Sequence, residues 1–554
     1  MSEKREPGRI VQNISLFWVS QGTIQKYAKF KEEFPMSLNL AVLLTEAAKK
    51  YPAEPALIYE TMKLNYAQLN GASNQFANAL SSIGIGRGDK VALMLPNIPQ
   101  FVIAFYGAEK LGAVVVPMNV LLKRDEIEYL LKDSDAAAII TWEGFMAEAE
   151  AAYQRVPECQ HLIIAQAPGS AVPLPVGDKV HNFGEMMKTA SPKFNLVPTM
   201  PDDTAIILYT SGTTGKPKGA ELTHFNVFYN AQFGGDKLVQ VNPGDVAMAV
   251  LPLFHVFGLT NVLNTAIGRG GTVTLVARFD PIKVLEVIQR DKVTIFMGVP
   301  TMYFGLLHCP ERKNYDTSTL RLCLSGGAAI PVEVLLAFQK EYKVAVLEGY
   351  GLSETSPTAS FNMMDRPAKA GSIGLPIWGV EMKVVDDNDN EMPQGEAGEI
   401  VIRGHNVMKG YYKRPEATAE AMKNDWFHTG DIAHVDEEGY FFIVDRKKDM
   451  IIRGGFNIYP REIEEVLYQH PAVREAAVIG VPDSKMGEEV KAYVSLKPDV
   501  TADPQELVEF VKSKVAAYKY PREVEILDEL PKGATGKLLK RELRLLPQKV
   551  TVGD

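Results

Sequence analysis

The chain has 554 residues, 46% of them hydrophobic and 23% charged, which is the balance of an ordinary globular protein long enough for several folding units. Its 59 Lys and Arg against 68 Asp and Glu give a net charge of −9 with no basic block, which argues against a nucleic-acid polymer as partner, since phosphate backbones are held by clustered cations. Cys159, Cys309 and Cys323 are scattered and form no CxxC, which argues against a disulfide framework or structural zinc and for a reducing compartment.

The N-terminus is charged, and Leu16 to Val19 are too few for a signal-peptide core. No apolar run reaches the roughly 20 residues of a membrane span; the run at 103–118 carries Glu109 and Lys110 in its middle. A cytoplasmic protein is expected. Strand-length apolar runs at 91–95 and 137–140 alternate with helical patterns at 67–82 and 99–111. Further strand patterns follow at 202–209, 247–251, 272–276, 293–297, 320–325 and 344–348. Such alternation predicts parallel sheets with crossover helices. Residues 157–198, rich in Pro, Gly and Ser, read as including a long surface connection. After about Pro367, glycines punctuate short strands at 381–385 and 398–403, with a turn at 386–390, as in a small antiparallel β unit. A last α/β unit begins near Arg446, with helices at 460–468 and 504–514 and strands at 475–479 and 489–496. The residues before Leu38 carry no reading.

The densest motif follows the strand pattern that ends at Tyr209. It reads Thr210, Ser211, Gly212, Thr213, Thr214, Gly215, Lys216, Pro217, Lys218, Gly219: four hydroxyls, three glycines and two lysines. Glycines let backbone N–H groups approach an anion, hydroxyls donate further hydrogen bonds, and lysines supply charge. The run is a phosphate cradle but not a Walker A loop, because Pro217 stands where the second glycine of that motif belongs. Downstream come Ser325-Gly326-Gly327-Ala328-Ala329, Gly349-Tyr350-Gly351-Leu352-Ser353-Glu354-Thr355, Phe427-His428-Thr429-Gly430-Asp431, Asp445-Arg446-Lys447-Lys448-Asp449, and Pro531 to Lys537. Each alone is weak. In this order they resemble the signatures of the adenylate-forming superfamily: acyl-CoA synthetases, firefly-type luciferases and peptide-synthetase adenylation domains. The resemblance runs from about Leu38 to Leu543.

The resemblance implies an α/β fold. A large N-terminal domain (1–447) would hold two doubly wound α/β subdomains and a small β-barrel-like subdomain. A mobile, smaller C-terminal α+β domain (448–554) would follow. It implies ATP, Mg²⁺ and CoA as cofactor and co-substrates and a small carboxylic acid as substrate. Gly326, Gly327 and Ala328 would lie along adenine, and Tyr350, between Gly349 and Gly351, would stack on it. Ser353 would contact phosphate, Glu354 would hold Mg²⁺, Asp431 the ribose, and Arg446 the nucleotide. His428 is read as structural. Lys537 matches the adenylation lysine and Lys448 the hinge. Lys537, Glu354, Thr210 and His255 are the expected catalytic residues. A carboxylate would attack the α-phosphorus of ATP, giving acyl-AMP and pyrophosphate; a thiol would then displace AMP. The first step builds negative charge that positioned cations stabilise. Between the steps the small domain would rotate, withdrawing Lys537 and bringing up Gly454 and Gly455 for the pantetheine arm of CoA. A simple turn is the plainer reading of those two glycines, and both can hold.

Residues 251–259, with His255 at their centre, resemble the acyl-pocket motif. In amino-acid-activating relatives an aspartate near this place receives the substrate ammonium. His255 with apolar neighbours instead points to an acid without an α-amino group. Residues 297–303 and those after Glu354 are expected to add apolar walls or to be core. A fatty-acid CoA ligase is the leading reading. An aryl-acid ligase of the coumarate type, or an enzyme loading a carrier protein, are the alternatives. Monomer or homodimer, and a peripheral membrane contact, are compatible with the sequence.

Overall fold

The computed structural model describes residues 37–210, 216–533 and 536–546. Its local structure follows from short-range chemistry. Helix Tyr66–Ser82 starts where the Asn65 side chain accepts from the Gln68 N–H at 2.8 Å and the Gln68 side chain accepts from the Asn65 N–H at 2.9 Å. Helix Pro99–Lys110 starts on a proline that lacks only an unneeded donor. The two helices pack closely because Gly107 has no side chain: a Cβ there would lie 2.9 Å from the Phe76 ring. The run at 103–118 is therefore not a membrane segment but this buried helix and the strand Val114–Pro117. Lys110, buried in it, donates to Asn70 and Asn74. Among the described residues no helix is long and apolar enough to cross a membrane.

Two large sheets result. The first has eight strands, in the order Gly410–Tyr411, Lys218–Thr223, Thr204–Thr210, Val114–Pro117, Lys90–Met94, Ala136–Trp142, His161–Ala165 and Val180–Asn182. The last six are parallel to one another. The second has nine strands, with Leu375–Pro376, Thr358–Phe361, Val346–Gly351, Leu322–Ser325, Ile295–Gly298, Val246–Ala249, Thr272–Leu275, Pro55–Tyr59 and Met62–Asn65 in that order. Its six central strands are parallel. The Tyr66–Ser82 and Pro99–Lys110 helices belong to one continuous hydrophobic core that takes residues from both sheets.

A third, antiparallel sheet holds Val380–Val385, Gly398–Gly404, Met422–Lys423, Trp426–Val435 and Phe441–Arg446. The 386–390 turn is set by Asp386, which accepts from the Asn388 and Asn390 N–H groups. A fourth sheet is built wholly from residues after 450, with helices Pro460–Tyr468 and Pro504–Lys512 packed on its own core. The fold is thus α/β, with a large N-terminal domain and a smaller C-terminal one.

The 157–198 segment differs in part from expectation. Its residues 166–179 do form a largely exposed connection, but His161–Ala165 is a fully buried strand. The five-residue run His-Leu-Ile-Ile-Ala is hidden in a Pro- and Gly-rich context and is read only once Ala136–Trp142 pairs with it.

Candidate active site

A cleft of about 1020 Å³ gathers most of the singled-out residues. Thr210, Lys218, Gly326, Gly327, Gly349, Tyr350, Gly351, Ser353, Glu354, Asp431, Arg446, Lys448, His255 and Lys537 all line it. Lys216, Ala328, Gly454 and Gly455 do not. Ser211, Gly212, Thr213, Thr214 and Gly215 lie outside the described residues.

The phosphate motif joins two antiparallel strands, Thr204–Thr210 and Lys218–Thr223, in which Thr210 faces Lys218. Its described C-terminal end, Lys218–Thr223, is a strand, whereas a Walker A loop opens a helix. Its base is clamped from the side: Tyr129 donates to the Pro217 carbonyl at 2.9 Å and Tyr209 to Asp133 at 2.9 Å. The Lys218 ammonium sits 5.3 Å from the Tyr411 ring centre, a cation–π distance.

Glu354 stands on a short 3₁₀ turn after the strand Val346–Gly351. Glu354 is 8% exposed, and burial raises its affinity for a proton. Two hydroxyls donate to Oε1, Tyr411 at 3.0 Å and Thr210 at 3.3 Å; neither takes Oε2. Among the described residues it has no ion-pair partner. A buried carboxylate beside the phosphate motif, with Arg446 acting on it only at a distance, fits a Mg²⁺ that also takes phosphate oxygens.

Asp431 and Arg446 face each other on neighbouring strands. Tyr350 donates to Asp431 Oδ2 at 2.6 Å, and Arg446 Nε lies 3.1 Å from Oδ1. Asp431 in turn raises the pKa of the arginine. His428 sits 3.5 Å from both Asp389 and Glu399, a bridge between carboxylates.

Lys537 reaches the cleft from a tight C-terminal turn. The Gly533 N–H donates to the Lys537 carbonyl at 2.8 Å, and Gly536 holds φ +79°, which favours glycine. The turn docks on the large domain, where Thr301 donates to the Gly536 carbonyl at 3.1 Å. Burial, then the nearby Arg446, brings the Lys537 pKa down to about 8. His255 is held down at about 4, by burial first and by Lys537 second, so it is neutral. The Phe257 N–H donates to His255 Nδ1 at 3.3 Å, which puts the ring proton on Nε2.

Around His255, the side chains of Leu251, Phe254, Phe257, Val299, Leu324 and Phe361 give the cleft an apolar lobe. Of residues 297–303 only Val299 lines it; Met297, Met302 and Tyr303 are core. One polar pair interrupts the lobe, with Asn261 donating to Thr358 Oγ1 at 3.1 Å. Gly454 and Gly455 form the turn between strands Ile451–Arg453 and Phe456–Ile458, at φ +57° and +85°. In this arrangement the turn is outside the cleft.

Sequence reasoning missed Tyr411. It lies in no quoted motif, and its importance arises from a contact 57 positions away. A Gly-Tyr-Tyr run was its only trace.

The model of the AMP-binding enzyme family matches residues 44–412, and that of the AMP-binding enzyme C-terminal domain matches 462–537. A long-chain-fatty-acid–CoA ligase of Bacillus subtilis (strain 168) is 39% identical over 543 residues, covering 93% of this chain and 97% of its own. A feruloyl-CoA synthase of Amycolatopsis sp is 38% identical over 502 residues, covering 90% and 96%. The crystal structure of ATP-bound MatB from Rhodopseudomonas palustris superposes with a TM-score of 0.85 at 31% identity, covering 92% of this chain and 99% of that one. With both family models matched in order and the cleft lying where their segments meet, this chain belongs to the AMP-binding enzyme family.

Proposed function

We propose that this chain is an AMP-forming acid–thiol ligase that activates an apolar carboxylic acid as acyl-AMP and passes the acyl group to CoA. The observation that carries the reading is the convergence of Lys537, Glu354, Asp431 and Tyr350 on one cleft that also has an apolar lobe. Two kinds of relative, a long-chain-fatty-acid–CoA ligase and a feruloyl-CoA synthase, are both named for joining an acid to CoA, which supports this reading.

The residues divide the work. Asp431 and Arg446 hold the ribose end of the nucleotide, and the Thr210–Lys218 hairpin receives the β- and γ-phosphates. Lys537 carries positive charge to the point where the acid meets the α-phosphate, and so stabilises charge that builds during the attack. His255 donates from Nε2 and orients the acid without changing its own charge. Glu354 would hold Mg²⁺, which when bound would neutralise charge on the phosphates. For the second step, residues 448–554 rotate about Lys448 and exchange Lys537 for the Gly454–Gly455 turn. The exposure of that turn, with Phe456 stacked 4.8 Å from Tyr518 beside it, supports this division.

A medium- or long-chain fatty acid is the leading substrate. The aryl-acid reading is favoured by one feature: Asn261 and Thr358 place polar groups in the lobe, where a phenolic hydroxyl finds a partner and a methylene does not. Pyrophosphate release over a panel of short, long and aromatic acids, with and without CoA, tests both readings. Turnover of fatty acids without aryl acids supports the first, the reverse supports the second, and no turnover of any acid removes the ligase reading.

A further inference from the structure

One tyrosine touches both halves of the phosphate site. Tyr411 lies on the two-residue strand Gly410–Tyr411, which pairs with Lys218–Thr223, the return strand of the phosphate hairpin. Its hydroxyl donates to Glu354 Oε1 at 3.0 Å. The face of its ring carries the Lys218 ammonium at 5.3 Å. The backbone on either side repeats the link: the Met408 N–H donates to the Glu354 carbonyl at 2.8 Å, and the Tyr412 N–H to the Gly219 carbonyl at 2.8 Å. Residues 408–412 therefore strap the buried carboxylate to the hairpin.

We propose that Tyr411 is a positioning residue that sets the spacing between the metal-side carboxylate and the phosphate-side ammonium. With Thr210 it holds Oε1, the shorter of the two bonds being its own, and so leaves Oε2 as the oxygen offered to a divalent cation; by seating Lys218 it fixes where the phosphates lie relative to that oxygen. Side-chain rotation is thereby removed from a carboxylate that must meet a small cation with demanding geometry. The inference rests on the ligase reading for the identity of the nucleotide, but its test needs no acid.

The test is Mn²⁺ binding, followed by electron paramagnetic resonance, to the full-length protein with a non-hydrolysable ATP analogue. Tyr411→Phe keeps the ring and removes the hydroxyl. Its Mn²⁺ affinity falls about tenfold, the size of one hydrogen bond to a charged group. Its affinity for the metal-free analogue stays within about twofold, because the Lys218 seat is intact. Tyr411→Leu weakens the metal-free analogue as well. Tyr412→Phe, which removes a comparable bond to Asp135 (2.7 Å) outside the cleft, leaves Mn²⁺ affinity unchanged. Unchanged Mn²⁺ affinity in Tyr411→Phe overturns the proposal. So does an equal loss of metal-bound and metal-free nucleotide, which marks a structural role only. A protein that binds Mn²⁺ and the analogue as described, yet turns over no acid, keeps this inference and loses the ligase reading.

Discussion

Tyr350 and Asp431 are joined by a 2.6 Å hydrogen bond from hydroxyl to carboxylate, while Arg446 occupies the other carboxylate oxygen at 3.1 Å. The carboxylate is thus held at both oxygens with lone pairs to spare, which in the proposed reading take the ribose hydroxyls. Tyr350→Phe frees one side of it. The KM for ATP should rise about tenfold with kcat little changed, since the bond orients bound nucleotide rather than the reacting atoms. Asp431→Ala removes the acceptor and leaves Arg446 unpaired, and should cost at least another factor of about ten. Steady-state kinetics with varied ATP checks both.

In the proposed reaction Lys537 is expected to set the alkaline limit of adenylation. Only its protonated form supplies charge, and its pKa of about 8 means that form is lost as pH rises through 8. The value of kcat/KM for ATP should therefore fall above pH 8, reporting the free enzyme. Lys537→Arg should lose the limb. Lys537→Ala should slow adenylation by about a thousandfold or more while sparing thioester formation from supplied acyl-AMP. Equal loss of both half-reactions contradicts a rotating C-terminal domain.

His255 contributes no acid limb. With its pKa held near 4 it is already neutral throughout pH 5 to 8, so pyrophosphate release should show no inflection near the usual histidine value. His255→Leu removes the Nε2 donor and should raise the KM for the acid by about tenfold, leaving the KM for ATP unchanged. A change in ATP binding alone would place His255 elsewhere in the reaction.

Gly351 is required by space. A Cβ at this position would lie 1.8 Å from the Pro357 carbonyl oxygen, which is backbone and cannot swing away. Gly351→Ala should destabilise the protein by about 3 kcal/mol or more, because overpacking here displaces the segment that carries Thr358. Chemical denaturation measures it; a loss below about 1 kcal/mol would mean that the strand relaxes freely.

What the sequence discloses depends on the range of the interaction. Helix Pro460–Tyr468 is legible to the residue because its start is a proline and its apolar spacing is local. Glu354, Asp431 and Lys537 are legible because each sits in a short motif whose residues are neighbours in the sequence. The buried strand His161–Ala165 is not, since its burial depends on a neighbour over twenty positions away. Tyr411 is not, because nothing near it in the chain marks the partner. The docking of Gly536 on Thr301 spans 235 positions and lies beyond any local pattern.

The strands Pro55–Tyr59 and Met62–Asn65 complete a sheet whose other members all come after residue 245, and Gly410–Tyr411 returns to the sheet built from residues 90–223. The two sheets are therefore laced together by the chain rather than placed end to end. A split-protein reporter cut near residue 200 would yield two fragments, the first withholding two strands from the second's sheet and the second three from the first's. Neither could mature alone, and signal would require co-translation or refolding of the pair. Swapping segments between relatives meets the same constraint: a piece that takes a strand of either large sheet from within 55–411 parts it from its ladder, whereas the fourth sheet, made only of residues after 450, travels whole.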